Sequence, residues 1–184
     1  FRLYDCCAES DGAAAVLVTH RDRAEDLRDD PVYALAAAAG GAFRSAAQEN
    51  VPDYATAGFT TLVPRLYAGA GLGPRDVDVL QVYDNFTAGV VMALIEHGFC
   101  TAEGAGETLT FENLVAPHGS LPLNTSGGNF AEAYLQSMQM HVEAVRQLRG
   151  VAVNQVPGAR TCLVAGGPMT SVPTSVIYGT KDVL

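Results

Sequence analysis

The sequence predicts an α/β layer with helices on both faces, and three features carry that prediction. Short runs of Val, Ile, Leu and small residues alternate with segments of helical periodicity, two further such runs close the chain, and glycine-rich turns mark the junctions. At 184 residues the chain fits one domain, large enough to bury a sizeable core.

In chain order, Asp5 to Gly12 is a polar turn feeding Ala13 to Thr19, a run of small and Val/Leu residues that reads as a buried strand. Arg21 to Asp29 is charged and reads as a short helix, stopped at Asp30-Pro31 because the residue before proline avoids the α region. Val32 to Ala39 fits either a second buried strand or an alanine-rich helix, which periodicity cannot separate over so short a run. Arg44 to Tyr54 is polar. A helix is predicted from Thr56 to Ala70 with Phe59, Val63, Leu66 and Tyr67 on one face; Pro64 imposes a kink or a late start, and Gly71 and Gly73 end it.

Asp76 to Tyr83, rich in β-branched residues, reads as the central strand. Asp84 or Asn85 then caps a helix reaching His97 and stopped by Gly98. Thr101 to Gly119 is a long connection. From Asn129 as N-cap, with Glu132 completing a capping-box-like pair, one helix is predicted through to Arg149; its face is Phe130, Tyr134, Met138, His141, Val145 and Leu148. Thr161 to Ala165 and Thr174 to Tyr178 are the closing strands, separated by Gly166-Gly167-Pro168.

Composition narrows the function classes. A net charge of −9 with a pI near 4.7 argues against a nucleic-acid partner, since phosphate binding draws its affinity from clustered Lys and Arg. The longest apolar runs are too short or too glycine-broken to span a bilayer. Cys6, Cys7, Cys100 and Cys162 have no zinc-like spacing, and neighbours such as Cys6-Cys7 rarely form an ordinary disulfide, so a reducing cytoplasm is the expected home. The Asn85 and Asn124 N-x-S/T triplets then read as chance. The chain opens on Phe1-Arg2-Leu3 without a methionine or a charged-then-apolar leader, so neither a signal peptide nor an intact natural start is expected.

Ligands of open α/β sheets sit at the carboxyl ends of strands. Tyr83, the Asp84-Asn85 helix start, the Gly127-Gly128 turn and the Gly166-Gly167 turn all fall at such ends. Glycine pairs admit a close-lying ligand, and free N–H groups near a helix start favour developing negative charge, the layout of an oxyanion or thioester-carbonyl site. Each feature also has a plain structural reading: Tyr83 as strand-end packing, Tyr134 as a helix-face core residue, each Gly-Gly as a turn. His118, between a proline and a glycine in the loop leading to the site, is the candidate histidine; His97 and His141 read as helix-end and helix-face residues.

The order of motifs resembles a known family. Ala70-Gly71-Leu72-Gly73-Pro74-Arg75-Asp76-Val77-Asp78-Val79 leading into Tyr83-Asp84-Asn85-Phe86 is similar to the C-terminal half of a thiolase, where an AGL-x-x-x-D-I-D run precedes an N-E-A-F box. Asp11-Gly12-Ala13-Ala14-Ala15-Val16 resembles the D-G-A-A-A strand that opens that half, and Asn124-Thr125-Ser126-Gly127-Gly128 its N-x-x-G-G turn. The resemblance implies a thiolase-like C-terminal half, with a mixed sheet and helices on both faces, in one domain over 1–184. The N-terminal half, through which thiolase relatives dimerise, is expected to be absent.

The departures carry the functional expectation. The family's catalytic histidine, six residues past the glycine pair, falls on Tyr134; the N-E-A-F asparagine, a histidine in the sterol-carrier branch, falls on Tyr83; the late cysteine of C-x-G-G-G falls on about Val164, with Cys162 two residues early. Condensation or thiolysis needs a base and a proton-shuttling cysteine, so ordinary thiolase activity is not expected. Two phenols suit deprotonating a hydroxyl and protonating an enolate. That pattern resembles the lipid-transfer-protein-like aldolases of bacterial steroid side-chain degradation. It implies retro-aldol cleavage of a 17-hydroxy steroid acyl-CoA to a 17-ketosteroid and propionyl-CoA, with an OB-fold, DUF35-type partner protein. Tyr83 and Tyr134 would divide the base and acid roles, and Asn85, His118, Gly127, Gly128, Gly166 and Gly167 would line the substrate, with no metal or organic cofactor. The alternatives are a sterol-carrier-type acyl-CoA thiolase, which needs a nucleophilic cysteine in the N-terminal half, and a non-catalytic acyl-CoA- or lipid-binding scaffold.

Overall fold

The computed structural model describes residues 1–27, 30–41 and 55–184; the polar stretch from Arg44 to Tyr54 lies outside them. Four strands form one mixed sheet, β1 (Tyr33–Ala39), β2 (Val79–Val82), β3 (Thr161–Gly166) and β4 (Thr174–Gly179), in the order β1-β4-β3-β2. β2 runs parallel to β3, while β4 is antiparallel to both β3 and β1. The alanine-rich run from Val32 to Ala39, ambiguous in sequence, is therefore an edge strand. β2 lies at the end of the ladder rather than at its centre as expected. It is nonetheless buried throughout, because helices cover both faces and its outer edge is bridged at Leu80 by Leu123.

Strand alternation sorts the core into two halves. Leu80 and Val82 of β2, Leu163 and Ala165 of β3 and Ile177 of β4 face α2 (Val63–Ala70) and α3 (Thr87–Glu96), meeting Leu66, Val90, Ala93 and Leu94. Val79, Tyr83, Cys162 and Val164 face the other way, onto Met140, Ala144 and Leu148 of the helix Met138–Leu148. Helices on both faces are what the sequence predicted.

α1 (Arg21–Leu27) forms where expected. α2 takes the late start, with Leu62 before it, Pro64 in its first turn and Gly71 closing it at φ 67°, a conformation glycine adopts without strain. α3 is capped by neither Asp84 nor Asn85: Phe86 precedes it in extended conformation with no side-chain cap, because the Asp84 carboxylate turns instead to the backbone N–H of Asn129. The connection from Thr101 contains two single-turn helices, α4 (Ala105–Thr108) and α5 (Phe111–Leu114).

Two further sequence expectations fail for physical reasons. Ala13 to Thr19 has no regular structure, and Leu17 and Val18 are 90% and 85% exposed; a strand is stable only against a partner, and no strand among the described residues pairs with this run. The long helix from Asn129 is broken. α6 (Gly128–Ala131) ends after one turn, and α7 (Met138–Leu148) begins only after Gln136 and Ser137 adopt left-handed φ values of 55° and 73°. The break rotates the helix, so its buried face carries Gln139, Met140, Glu143, Ala144, Gln147 and Leu148 in place of the apolar stripe. Glu143 and Gln147 join a hydrogen-bonded network: Thr125 donates to Glu143 at 2.6 Å and accepts from Gln81 and Gln147 at 3.0 and 2.9 Å.

One buried group makes stability depend on pH. His97 closes α3, its Nδ1 2.7 Å from the Ala93 carbonyl and its Nε2 2.9 Å from Ser175 Oγ; burial pushes its pKa down from 6.5 to about 4. The unfolded chain thus binds a proton that the folded chain refuses between those values. The stabilisation is complete above pH ~6.5 and is lost as pH falls toward ~4, by about 3 kcal/mol in all. Urea midpoints measured at pH 7.5 and 4.5 should differ more for the wild type than for His97→Gln; equal differences would contradict this.

Candidate active site

The site is built where β2 ends. The side chain of Asn124, itself at φ 47°, grips Val82 like a neighbouring strand, donating to its carbonyl at 2.9 Å and accepting from its N–H at 2.7 Å. Tyr83 N–H continues the ladder to the Ala165 carbonyl at 2.8 Å. Asp84, 6% exposed, accepts from Asn129 N–H at 2.8 Å. Burial pushes its carboxyl up, opposed by hydrogen bonds from Asn129, Asn124 and Phe130. Tyr83 is therefore held on both sides by backbone contacts and is 8% exposed.

Tyr134 arrives from the broken connection between α6 and α7. The Tyr83 hydroxyl donates to Tyr134 Oη at 2.7 Å, and the rings lie 6.1 Å apart at 47°. The Gln136 amide completes a triangle, its Nε2 donating to Tyr134 Oη at 3.1 Å and its Oε1 lying 3.3 Å from the Tyr83 hydroxyl. Burial, then the hydrogen bond to Tyr134, holds the Tyr83 phenol above its ordinary range, with Cys7 and Asp84 adding to it. Cys7 reaches this corner because the first residues cross the start of α3: Cys6 bridges Phe86, Cys7 N–H donates to the Asn85 carbonyl at 3.1 Å, and Thr87 donates to Asp5 at 3.0 Å.

The two predicted phenols are thus brought into direct contact. The glycines are placed around them. Gly128, at φ 59°, packs so closely on Asp84 and Asn124 that a Cβ would collide with both, and Gly127, at φ 113°, leads into α6. The expectation of free N–H groups at this turn is corrected, because the Asp84 carboxylate takes those of Asn129 and Phe130. A Cβ on Gly166 would sit 3.5 Å from Ser137 Oγ, which sets the end of β3 against the α6–α7 break, and Gly167 turns away at φ 66°. Asn85 spends its side chain on the neighbouring Phe86 N–H at 3.0 Å. His118 is exposed in the turn after Pro117, and the tyrosine hydroxyls bond to each other and to Gln136 rather than to it. Gln136 itself was invisible in the sequence, since residues two apart on an unbroken helix face apart.

Cys162 does not substitute for the missing late cysteine. The β2–β3 register sets it beside Val79, four residues or ~13 Å along the strand from Tyr83. It is fully buried against α7, and burial pushes its thiol far up.

Residues 40–180 match the thiolase C-terminal domain-like family. The chain belongs to that family. It is 40% identical over 184 residues to a 17-hydroxy-3-oxo-4-pregnene-20-carboxyl-CoA lyase of Mycobacterium tuberculosis, an alignment covering 95% of the chain and 45% of that protein. To a steroid side-chain-cleaving aldolase of Thermomonospora curvata it is 38% identical, over 94% of the chain and 44% of that protein. A solved Ltp2-ChsH2(DUF35) aldolase superimposes with a TM-score of 0.86 at 33% identity, covering 97% of the chain and 47% of its own. This thiolase-type chain therefore spans a little under half the length of these relatives. A monomeric SCP2-thiolase-like protein of Mycobacterium smegmatis shares the fold, at a TM-score of 0.57 and 24% identity over 81% of the chain and 29% of its own. In the thiolase frame described here, the slots expected for asparagine and histidine hold hydrogen-bonded phenols, and the slot expected for cysteine holds the buried Val164.

Proposed function

We propose that this chain supplies the catalytic phenols of an aldolase that cleaves a 17-hydroxy steroid acyl-CoA to a 17-ketosteroid and propionyl-CoA. The observation that carries the reading is the 2.7 Å hydrogen bond between Tyr83 and Tyr134. The pair works with one proton removed, and its phenolate oxygen takes the proton of the 17-hydroxyl. The C17–O bond becomes a carbonyl as the C17–C20 bond breaks, and its electron pair passes to the thioester as an enolate. The other phenol gives its proton to C20, forming the propionyl thioester. Proton transfer along the short bond then returns the pair to its starting state, so one proton leaves the hydroxyl and one reaches carbon. The thioester carbonyl delocalises the charge, and the step calls on no metal or organic cofactor.

That the Mycobacterium and Thermomonospora relatives are a steroid carboxyl-CoA lyase and a steroid side-chain-cleaving aldolase supports this substrate class, and the aldolase solved with a DUF35 component supports a partner protein of that type. The alternatives are separated by CoA. Incubated with its DUF35-type partner and the 17-hydroxy thioester but without added CoA, the intact protein should release ketosteroid and propionyl-CoA in equal amounts. Acyl transfer appearing only when CoA is added would favour a thiolase, and binding without turnover a scaffold.

A further inference from the structure

We propose that Gln136 is a positioning residue that makes the tyrosine pair asymmetric: its amide places the negative charge of the deprotonated pair on Tyr134, the phenol that takes the substrate's hydroxyl proton. This rests on the aldolase reading and deepens it.

The argument is one of donors and acceptors. A phenolate is stabilised by the hydrogen bonds it accepts. On Tyr134 it would accept two, from the Tyr83 hydroxyl at 2.7 Å and from Gln136 Nε2 at 3.1 Å. On Tyr83 it would accept one, from Tyr134, and would face the carbonyl oxygen of the same amide at 3.3 Å. The surroundings push the same way: the titratable groups bearing on Tyr83 besides its partner are Asp84, next to it in the chain, and Cys7, from the first segment, and both oppose its ionisation. On α7, packed against this face, Glu143 is bonded to Thr125 and Gln147, and His141 to Tyr178. Tyr83 is 8% exposed and Tyr134 is less buried, so the residue that carries the charge is also the more accessible one.

The backbone makes the arrangement specific. Gln136 and Ser137 are consecutive non-glycine residues in the left-handed region, which costs of order 1 kcal/mol at each. That conformation breaks the helix and turns the residue two beyond Tyr134 back onto the Tyr134 oxygen. A continuous helix would point the two side chains apart.

Gln136→Met keeps the length of the side chain and removes the donor. The acid limb of the kcat/KM profile should move up by about one pH unit, the scale of a lost hydrogen bond to a charged oxygen, with activity recovering toward wild type at high pH. Gln136→Gly suits the left-handed backbone and should move the limb equally; a Gly variant with the wild-type profile would overturn the proposal, as would uniform loss at every pH or no change in either. If the wild type cleaves no steroid thioester, the aldolase reading fails by itself. Ultraviolet titration of tyrosinate then still decides the inference: the ionisation that Tyr134→Phe removes from the curve should fall at higher pH in Gln136→Met than in wild type, and coincident curves would refute it.

Discussion

Tyr134→Phe is expected to lower kcat for retro-aldol cleavage of the 17-hydroxy thioester by about 10²–10⁴, the range that a positioned acid or base supplies. Tyr83→Phe should do the same. Each substitution removes one oxygen and keeps the ring, so the packing of Tyr83 among Val79, Met140 and Val164 survives, and each should cost stability only about 1 kcal/mol, the net value of one hydrogen bond. Because the two hydroxyls share one bond and act as a unit, the double variant should be scarcely slower than either single one. Steady-state rates with matched circular dichroism spectra check this; single variants that turn over at the wild-type rate would remove both phenols from the mechanism.

The second large effect is structural. Gly128→Ala should destabilise the protein by about 3 kcal/mol or more and abolish turnover. Alanine at φ 59° is disfavoured by about 1 kcal/mol, and the added methyl would drive into the Asp84 carboxylate and the Asn124 amide. Those side chains are the clamp that fixes Tyr83, so they cannot yield without moving it. Gly71→Ala is the comparison: its φ is 67°, yet nothing lies within 4 Å of the added methyl, so it should show the backbone cost alone. Urea midpoints of the two variants isolate the collision, and equal losses would show that the Asp84 contact is unimportant.

The contrast between Tyr83 and Gln136 shows what the sequence could disclose. Tyr83 was legible because it follows a β-branched run and precedes a helix, signals local to the chain, and its motif order matched a family. Tyr134 was placed by counting from Gly128. The register of Gln136 was not legible, because two non-glycine residues in the left-handed region carry no compositional mark and the capping pattern from Asn129 argued for an unbroken helix. The same break hid the polar face of α7: Gln139, Glu143 and Gln147 look like a solvated stripe until the rotation buries them against Thr125 and Asn129. Ala13 to Thr19 failed for the opposite reason. Its composition suits a strand, but pairing is a property of the partner, which no local pattern supplies.

The claim that these phenols refit a thiolase frame for aldol cleavage is tested most directly by the fate of one hydrogen. In D2O, with the DUF35-type partner and the 17-hydroxy thioester, the propionyl-CoA released by the wild type should carry one deuterium at C2, in a single configuration, because the phenol delivers it to one face of a held enolate. Unlabelled propionyl-CoA, or label distributed equally over both configurations, would contradict the account.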